Sequence, residues 1–436
     1  YIDRLNEANA GEYYMNTKAI DYLMVACYYS NIAQYNTAKE YVERALSILD
    51  DAPLSRRERQ EWELRRRWTE YEIAYGSGDY ATAVESFIEC IPGFETYVLT
   101  PDVDTYAKIA YAASCISDYA TMKMAAEQHV DGIRSHITST MFNLGDSARA
   151  MYWDKWSDSS NLIIDAYCNT STLEDNPIVG AMYDWNLISK GLLLTANNHF
   201  DYRLQHHVRP EVRMLYTQYK QYAMRLERCY LLNESMSEII KTQQSIKALE
   251  TSLLDVLRNE FNEDAYSQLA VSWQDVQEAL PENGVAIEFM RIDSEASGGA
   301  KYVALVLRKE WQSPRLVEVC SEEALAPYIS LERHRNLTLY NSVESKKLYA
   351  IVWNNVDDYL TPGDIVYYST DGLLHQTNPE SMRVADSDAK LYADDLYDLR
   401  RVSSTREIAL KHRDADYARA ALFGNLNYNM GDSEVE

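Results

Sequence analysis

Cysteine is scarce in this chain, and none of it is spaced for a metal or a disulfide framework. The six residues, Cys27, Cys90, Cys115, Cys168, Cys229 and Cys320, lie far apart, with no C-x-x-C pair and no Cys/His ligand spacing. Four of them sit in apolar helical contexts. They read as buried thiols of a reducing compartment, so the cytoplasm is the expected location. Glycine and proline are also few, 15 and 10 against 35 tyrosines, which argues against long disordered linkers. No apolar run approaches the length of a membrane span, and no secretory leader is visible. The first residue is Tyr1 and not Met, which leaves a removed leader or a trimmed end open. Positive charge is in deficit, and the formal net charge is -25. Binding to nucleic acid or to anionic lipid needs a basic footprint, so neither is expected as a direct partner.

What is present fits a soluble globular protein. Hydrophobic residues make up 46% and charged residues 25%, and 436 residues suggest two or three domains. Residues 18–48 read as two helices with a short break. Small Ala26 and Ala38 sit where helices approach closely, Tyr22, Tyr29, Tyr35 and Val42 fill the gaps around them, and Ala45 closes the second helix. This spacing resembles a tetratricopeptide repeat. A second unit carries Gly78, Asp79, Tyr80, Ala83, Phe87 and Cys90, and a looser third carries Ala110, Tyr119, Met122 and Ala126. The matching positions Ala38, Ala83 and Met122 are 45 and then 39 residues apart. Both exceed the usual period of about 34. The extra length is expected in longer helices or loops, such as the charged stretch 55–67. Residues 147–200 continue helical around a polar break at 170–177, with tryptophans expected as packing anchors. Stacked repeats of this kind leave a groove that suits a protein or peptide partner.

From Pro210, apolar residues fall at Val212, Leu215, Tyr219, Tyr222, Leu226 and Cys229, in steps of 3, 4, 3, 4 and 3. That is a coiled-coil seam, and Pro210 suits a first helical turn. Ser235 and Glu238 then have capping-box spacing ahead of a second seam at Ile239, Ile246, Leu249, Leu253 and Val256. Two such helices with a short turn predict an antiparallel hairpin. It serves as a rigid spacer, or as a lever to the next domain.

After Asn262 the pattern changes. Strands are predicted at 285–291, 302–307, 316–319, 365–368 and 420–423, with Ser297, Gly298 and Gly299 turning the first hairpin. Helices are predicted at 322–329, 343–360 and from Ser404. The run 365–368 has no polar alternation and stops at Asp371-Gly372, so it reads as the middle strand of a parallel sheet. Strand alternating with helix is the pattern of a sheet with helices on its faces.

Six short segments carry a more specific signal: Ser-Trp-Gln-Asp-Val-Gln at 272–277, Val-Ala-Ile-Glu-Phe at 285–289 and Tyr-Val-Ala-Leu-Val-Leu at 302–307; then Asp-Gly-Leu-Leu-His-Gln at 371–376, Ser-Ser-Thr-Arg-Glu at 403–407 and Leu-Phe-Gly-Asn-Leu-Asn-Tyr at 422–428. In this order they resemble the CHAT family, caspase-like domains that follow tetratricopeptide repeats in bacteria. The resemblance implies a multidomain fold. Residues 1–200 form tetratricopeptide-like repeats, 201–262 an antiparallel helical hairpin, and 263–436 the first part of a caspase-like α/β domain. It also implies a cysteine peptidase in which a His and a Cys at adjacent strand ends attack protein substrates, with an activating protein bound on the repeats.

That dyad is expected downstream of the motif at 424–428, and no cysteine follows Cys320. No catalytic residue is therefore assigned within this chain, which reads as a fragment or processed piece of a longer enzyme. The alternative is a non-enzymatic scaffold with a pseudo-protease domain. No metal or cofactor is called for. His375 reads as structural, and neither Cys320 with His375 nor Cys320 with His334 has supporting spacing. His206 and His207 lack a third ligand and are expected at the surface. Asp357, Asp358, Asp394 and Asp395 read as ordinary solvated charge. Thr370 and Asn425 replace the Pro and the second Gly of the family pattern.

Overall fold

Small residues set how the first helices approach. The structure, a computed structural model, describes residues 12–49, 54–94, 101–141, 144, 146–157, 160–173, 175–232, 234–257, 269–293, 296–329, 339–384 and 391–410. Helices α1 (Glu12–Asn31) and α2 (Tyr35–Leu49) fold back on one another across a short turn, with Ala26, Ala38 and Ala45 fully buried between them. Helix α3 (Arg56–Ser77) opens on a capping box: Glu58 N donates to Ser55 Oγ at 3.3 Å and Ser55 N to Glu58 Oε2 at 2.9 Å. The charged stretch 55–67 is thus the cap and first half of a 22-residue helix. Gly78, at φ 80°, ends α3 in a left-handed turn that a side chain would strain.

Helices α4 (Tyr80–Phe94), α5 (Val103–Cys115) and α6 (Tyr119–Thr140) continue the pairing, with Asp102 and Asp118 capping α5 and α6. Then come α7 (Asp146–Ser157), α8 (Asn161–Thr170), α9 (Val179–Ser189) and α10 (Leu192–Gln205). Helices α11 (Pro210–Leu231) and α12 (Met236–Leu257) make the expected hairpin, with Ser235 accepting from Glu238 N at its turn. Its seam differs from the one read in the sequence. Tyr216 is buried beside Val212, Tyr219 and Cys229, whereas Tyr222 is exposed. Most of the rest of the expected seam packs: Val212, Leu215, Tyr219, Ile246, Leu249, Leu253 and Val256 join Phe200, Leu204 and Tyr216 in one cluster, and Cys229 and Ile239 are buried toward the turn. Among the described residues, no helix is long and apolar enough to cross a membrane.

Helix α13 (Trp273–Ala279) leads into a mixed five-stranded sheet ordered β3-β2-β1-β4-β5. Strands β1 (Gly284–Ile292), β2 (Lys301–Arg308) and β3 (Arg315–Ser321) form an antiparallel meander. Strands β4 (Ile365–Ser369) and β5 (Asp398–Arg401) add in parallel on the far side of β1. Side chains alternate across β1. Ala286, Met290 and Ile292 join a core continuous with α3 to α9, while Val285, Ile287 and Phe289 face a second core built around Trp353. The architecture is a helical region followed by an α/β domain.

As expected, strand β4 lies between two parallel neighbours, β1 and β5, although β1 is the centre of the whole mixed sheet. Three elements depart from expectation. The helix expected over 343–360 breaks at Trp353 into α15 (Glu344–Val352) and α16 (Asn354–Asp357), following the short α14 (Glu322–Leu325). Strand β5 was not foreseen; its Asp-Leu-Arg-Arg sequence is largely exposed and charged, as an edge strand needs. The helix expected from Ser404 is a 3-10 turn over Thr405–Ile408, and the strand expected at 420–423 lies outside the described residues.

Candidate functional site

A charged residue in the middle of an apolar strand needs partners, because a buried unpaired carboxylate is costly. Glu288 of β1 is fully buried and faces the helical region. Its Oε1 accepts from Thr405 N at 2.6 Å, Thr405 Oγ1 at 2.8 Å and Ser404 Oγ at 3.1 Å. Its Oε2 lies 2.7 Å from Lys190 Nζ, at the end of α9. The same ammonium donates to the Ser369 carbonyl at 3.1 Å and to Ser369 Oγ at 3.0 Å. Tyr183 Oη sits 2.9 Å from Thr405 Oγ1, and buried Arg406 donates to the Leu187 carbonyl at 2.7 Å. One polar network therefore bolts α9 to the middle of β1 and the carboxyl end of β4.

Just beyond Ser369 the chain turns through Asp371 and Gly372. Asp371 Oδ2 accepts from Arg291 N and Oδ1 from Gly372 N, both at 2.8 Å. Gly372 has φ 50°, and a Cβ there would stand 2.4 Å from Tyr302 Oη. That hydroxyl accepts from Leu373 N at 2.8 Å and donates to Glu322 Oε2 at 3.1 Å. Gly372 is thus required by its contact with β2, and Asp371 is held by β1. Arg401 Nη2 donates to Thr370 Oγ1 at 2.9 Å, and that hydroxyl lies 2.9 Å from His375 Nδ1. Burial, helped by the positive charges of Lys190 and Arg401, lowers the His375 pKa against the opposing pull of Asp371. The imidazole is held as part of the turn, as the sequence suggested.

Above these strand ends lies a cleft of about 330 Å³ between α7 to α9 and the sheet. Trp153 and Trp185, stacked 5.7 Å apart, line it together with Asn186 from the helical side. Arg291, Asp293 and Asp371 line it from the strand side. The tryptophans pack, as expected, and also wall the cleft.

The other candidates are kept apart. Cys320 is on β3, three strand spacings from β4, or roughly 14 Å at about 4.8 Å each. Burial pushes its thiol up to about 11, so it is no thiolate, and the fold does not pair it with His375. His334 lies outside the described residues. His206 is exposed, but His207 is buried, contrary to expectation, and its Nδ1 accepts from Arg209 N at 3.1 Å. Asp357 is not simply solvated. It accepts from Tyr349 Oη at 2.8 Å and Tyr397 Oη at 3.1 Å, and burial raises its pKa. Asp358, Asp394 and Asp395 are exposed, and Asp395 caps the short helix α17 (Ala393–Leu396). Among the described residues, no group of three or more His, Cys, Asp or Glu side chains is placed to hold a metal.

Sequence reading missed Glu288 and Lys190 as partners. The available signal was the lone acid within Val-Ala-Ile-Glu-Phe-Met. A second junction was missed as well. Asp184 of α9 accepts from Trp273 N at 2.7 Å, with Arg134 Nη2 4.0 Å from its other oxygen. Burial pushes Asp184 up to about 7, against the lowering effects of Arg134 and the Trp273 N–H and with small upward contributions from Asp131 and Glu127. Its folded pKa exceeds the unfolded value near 3.9, so the folded chain holds this proton more tightly. The resulting stability is complete below about pH 4 and is lost as pH rises through 7, at about 1.4 kcal/mol per unit. Urea titrations at pH 5, 6 and 7 should show this decline, and Asp184→Asn should flatten it.

Compared with known proteins, the chain matches no family model and no curated sequence.

Proposed function

We propose that the chain is the sensor and first catalytic-domain portion of a partner-activated, caspase-like cysteine peptidase of the CHAT type, working in a bacterial cytoplasm. The observation that carries this reading is the junction at the strand ends. The parallel pair β1 and β4 ends at the Asp371-Gly372 turn, and α9 is bonded to that same point through Lys190. In enzymes of this type, a His and a Cys stand at the ends of adjacent parallel strands. The imidazole takes the thiol proton, the thiolate sulfur bonds to the scissile carbonyl carbon, and backbone N–H groups hold the oxyanion. The amine then leaves with the proton returned by the His. A protein bound in the groove of the tetratricopeptide-like repeats would be transmitted through α9 to this end of the sheet. The dyad belongs to sequence downstream of residues 424–428.

The alternative is a non-enzymatic scaffold with a pseudo-protease domain. Burial pushes the thiols of Cys27 and Cys90 up to about 12 and that of Cys320 up to about 11, which fits structural cysteines under either reading. The deciding experiment uses the full-length gene product with co-encoded proteins as substrates. Exchange of the downstream Cys for Ala should abolish cleavage. Cleavage that continues unchanged sinks the peptidase reading.

A further inference from the structure

We infer that the cleft above β1 and β4 is a composite pocket, half helical region and half sheet, that binds a basic side chain of a peptide. Three observations converge on it. Among the described residues, Asp371 has no ion-pair partner: its oxygens meet only the N–H groups of Arg291 and Gly372. Arg291, the cation that lines the cleft, is committed to Glu322 at 2.5 Å and to Asp293 at 3.0 Å, while Lys190 is held by Glu288 and Ser369 and Arg401 by Thr370. The mouth therefore keeps an excess of carboxylate, with Asp293 exposed to solvent.

On the opposite wall, Asn186 is 3% exposed, lines the cleft, and has an Nδ2 with no hydrogen-bond partner. An unsatisfied buried amide donor is costly, and a peptide carbonyl would satisfy it. Trp153 and Trp185 complete that wall with aromatic surface of the kind that accepts a guanidinium or the stem of a lysine. Acceptors at the mouth, a donor within and aromatic walls describe an arginyl or lysyl residue in a peptide. They do not suit an anion, which the carboxylates repel.

The helical region is then more than a receiver of signals, because it forms one side of the binding site. As a substrate pocket this rests on the peptidase reading above; as a binding pocket it does not.

The test titrates this chain with Nα-acetyl-arginine amide and with Nα-acetyl-citrulline amide, its uncharged isostere, following tryptophan fluorescence and calorimetry. Saturable binding of the arginine compound is expected, at least tenfold tighter than that of the citrulline compound. Asp293→Asn, at an exposed position, should weaken the arginine compound several-fold without changing thermal unfolding, and Asn186→Leu should weaken both compounds. Absence of saturable binding, equal affinity for the two compounds, or an Asp293→Asn variant that binds like the parent each overturns the pocket. Cleavage by the full-length protein, measured separately, reports on the peptidase reading whichever way the binding falls.

Discussion

Lys190→Met should destabilise the folded chain by about 3–5 kcal/mol, the cost of leaving a buried charge unpaired. Methionine nearly matches lysine in length but lacks the ammonium. Glu288 would keep its bonds from Ser404 and Thr405 and lose its only cation within ion-pair distance among the described residues. The Ser369 carbonyl would lose its bond from the same group. Urea denaturation measures the loss. Hydrogen exchange should locate it at the amides of 369–376 as well as at α9, although 179 residues separate Lys190 from Ser369. The double variant Lys190→Met with Glu288→Leu should recover much of the stability, because removing both charges removes the desolvation cost. A single variant that unfolds like the parent, or a double variant that simply adds the two losses, shows that the network does not couple α9 to the sheet.

Trp353→Ala should cost about 3–5 kcal/mol, the usual range for emptying a buried aromatic site. Trp353 is fully buried, with ring centroids 6.0 Å from Phe289 and 6.1 Å from Tyr368, both in edge-on geometry. Its Nε1 donates to the Pro379 carbonyl at 3.2 Å. The substitution opens a cavity under β1 and β4 and removes one of the two hydrogen bonds to that carbonyl, leaving the longer one from Met382 N. The core it disrupts lies on the sheet face away from the helical region, so near-UV dichroism should be lost at lower denaturant than far-UV helical signal. Trp353→Phe should recover part of the loss but not the hydrogen bond. An alanine variant with coincident, parent-like transitions in both signals contradicts this account.

Local chemistry was readable wherever it acts over a few residues. The buried alanines of α1 and α2, Pro210 at a first turn and Asp371-Gly372 after β4 all follow from the immediate sequence. The lost information has physical causes. The helix expected over 343–360 breaks at Trp353, whose indole donates to the Pro379 carbonyl, a contact with a separate element that no periodicity encodes. Strand β5 is charged because it lies at an edge, and it therefore looks like a loop. Asp357 looked solvated because its two tyrosine donors come from other elements.

By itself the sequence determined the two-part plan, helices and then strands with helices, together with a few local features such as the helix starts at Pro210 and Ser235 and the turn at Asp371-Gly372. These depend on side-chain periodicity and on backbone preference at single positions. Only the tertiary structure decided which strand is central, that Glu288 meets Lys190 and Thr405, and that the two tryptophans face carboxylates across a cleft. Glu288 and Thr405 are 117 residues apart. Burial makes their bond necessary, and burial is a property of the packed whole that no stretch of chain carries alone.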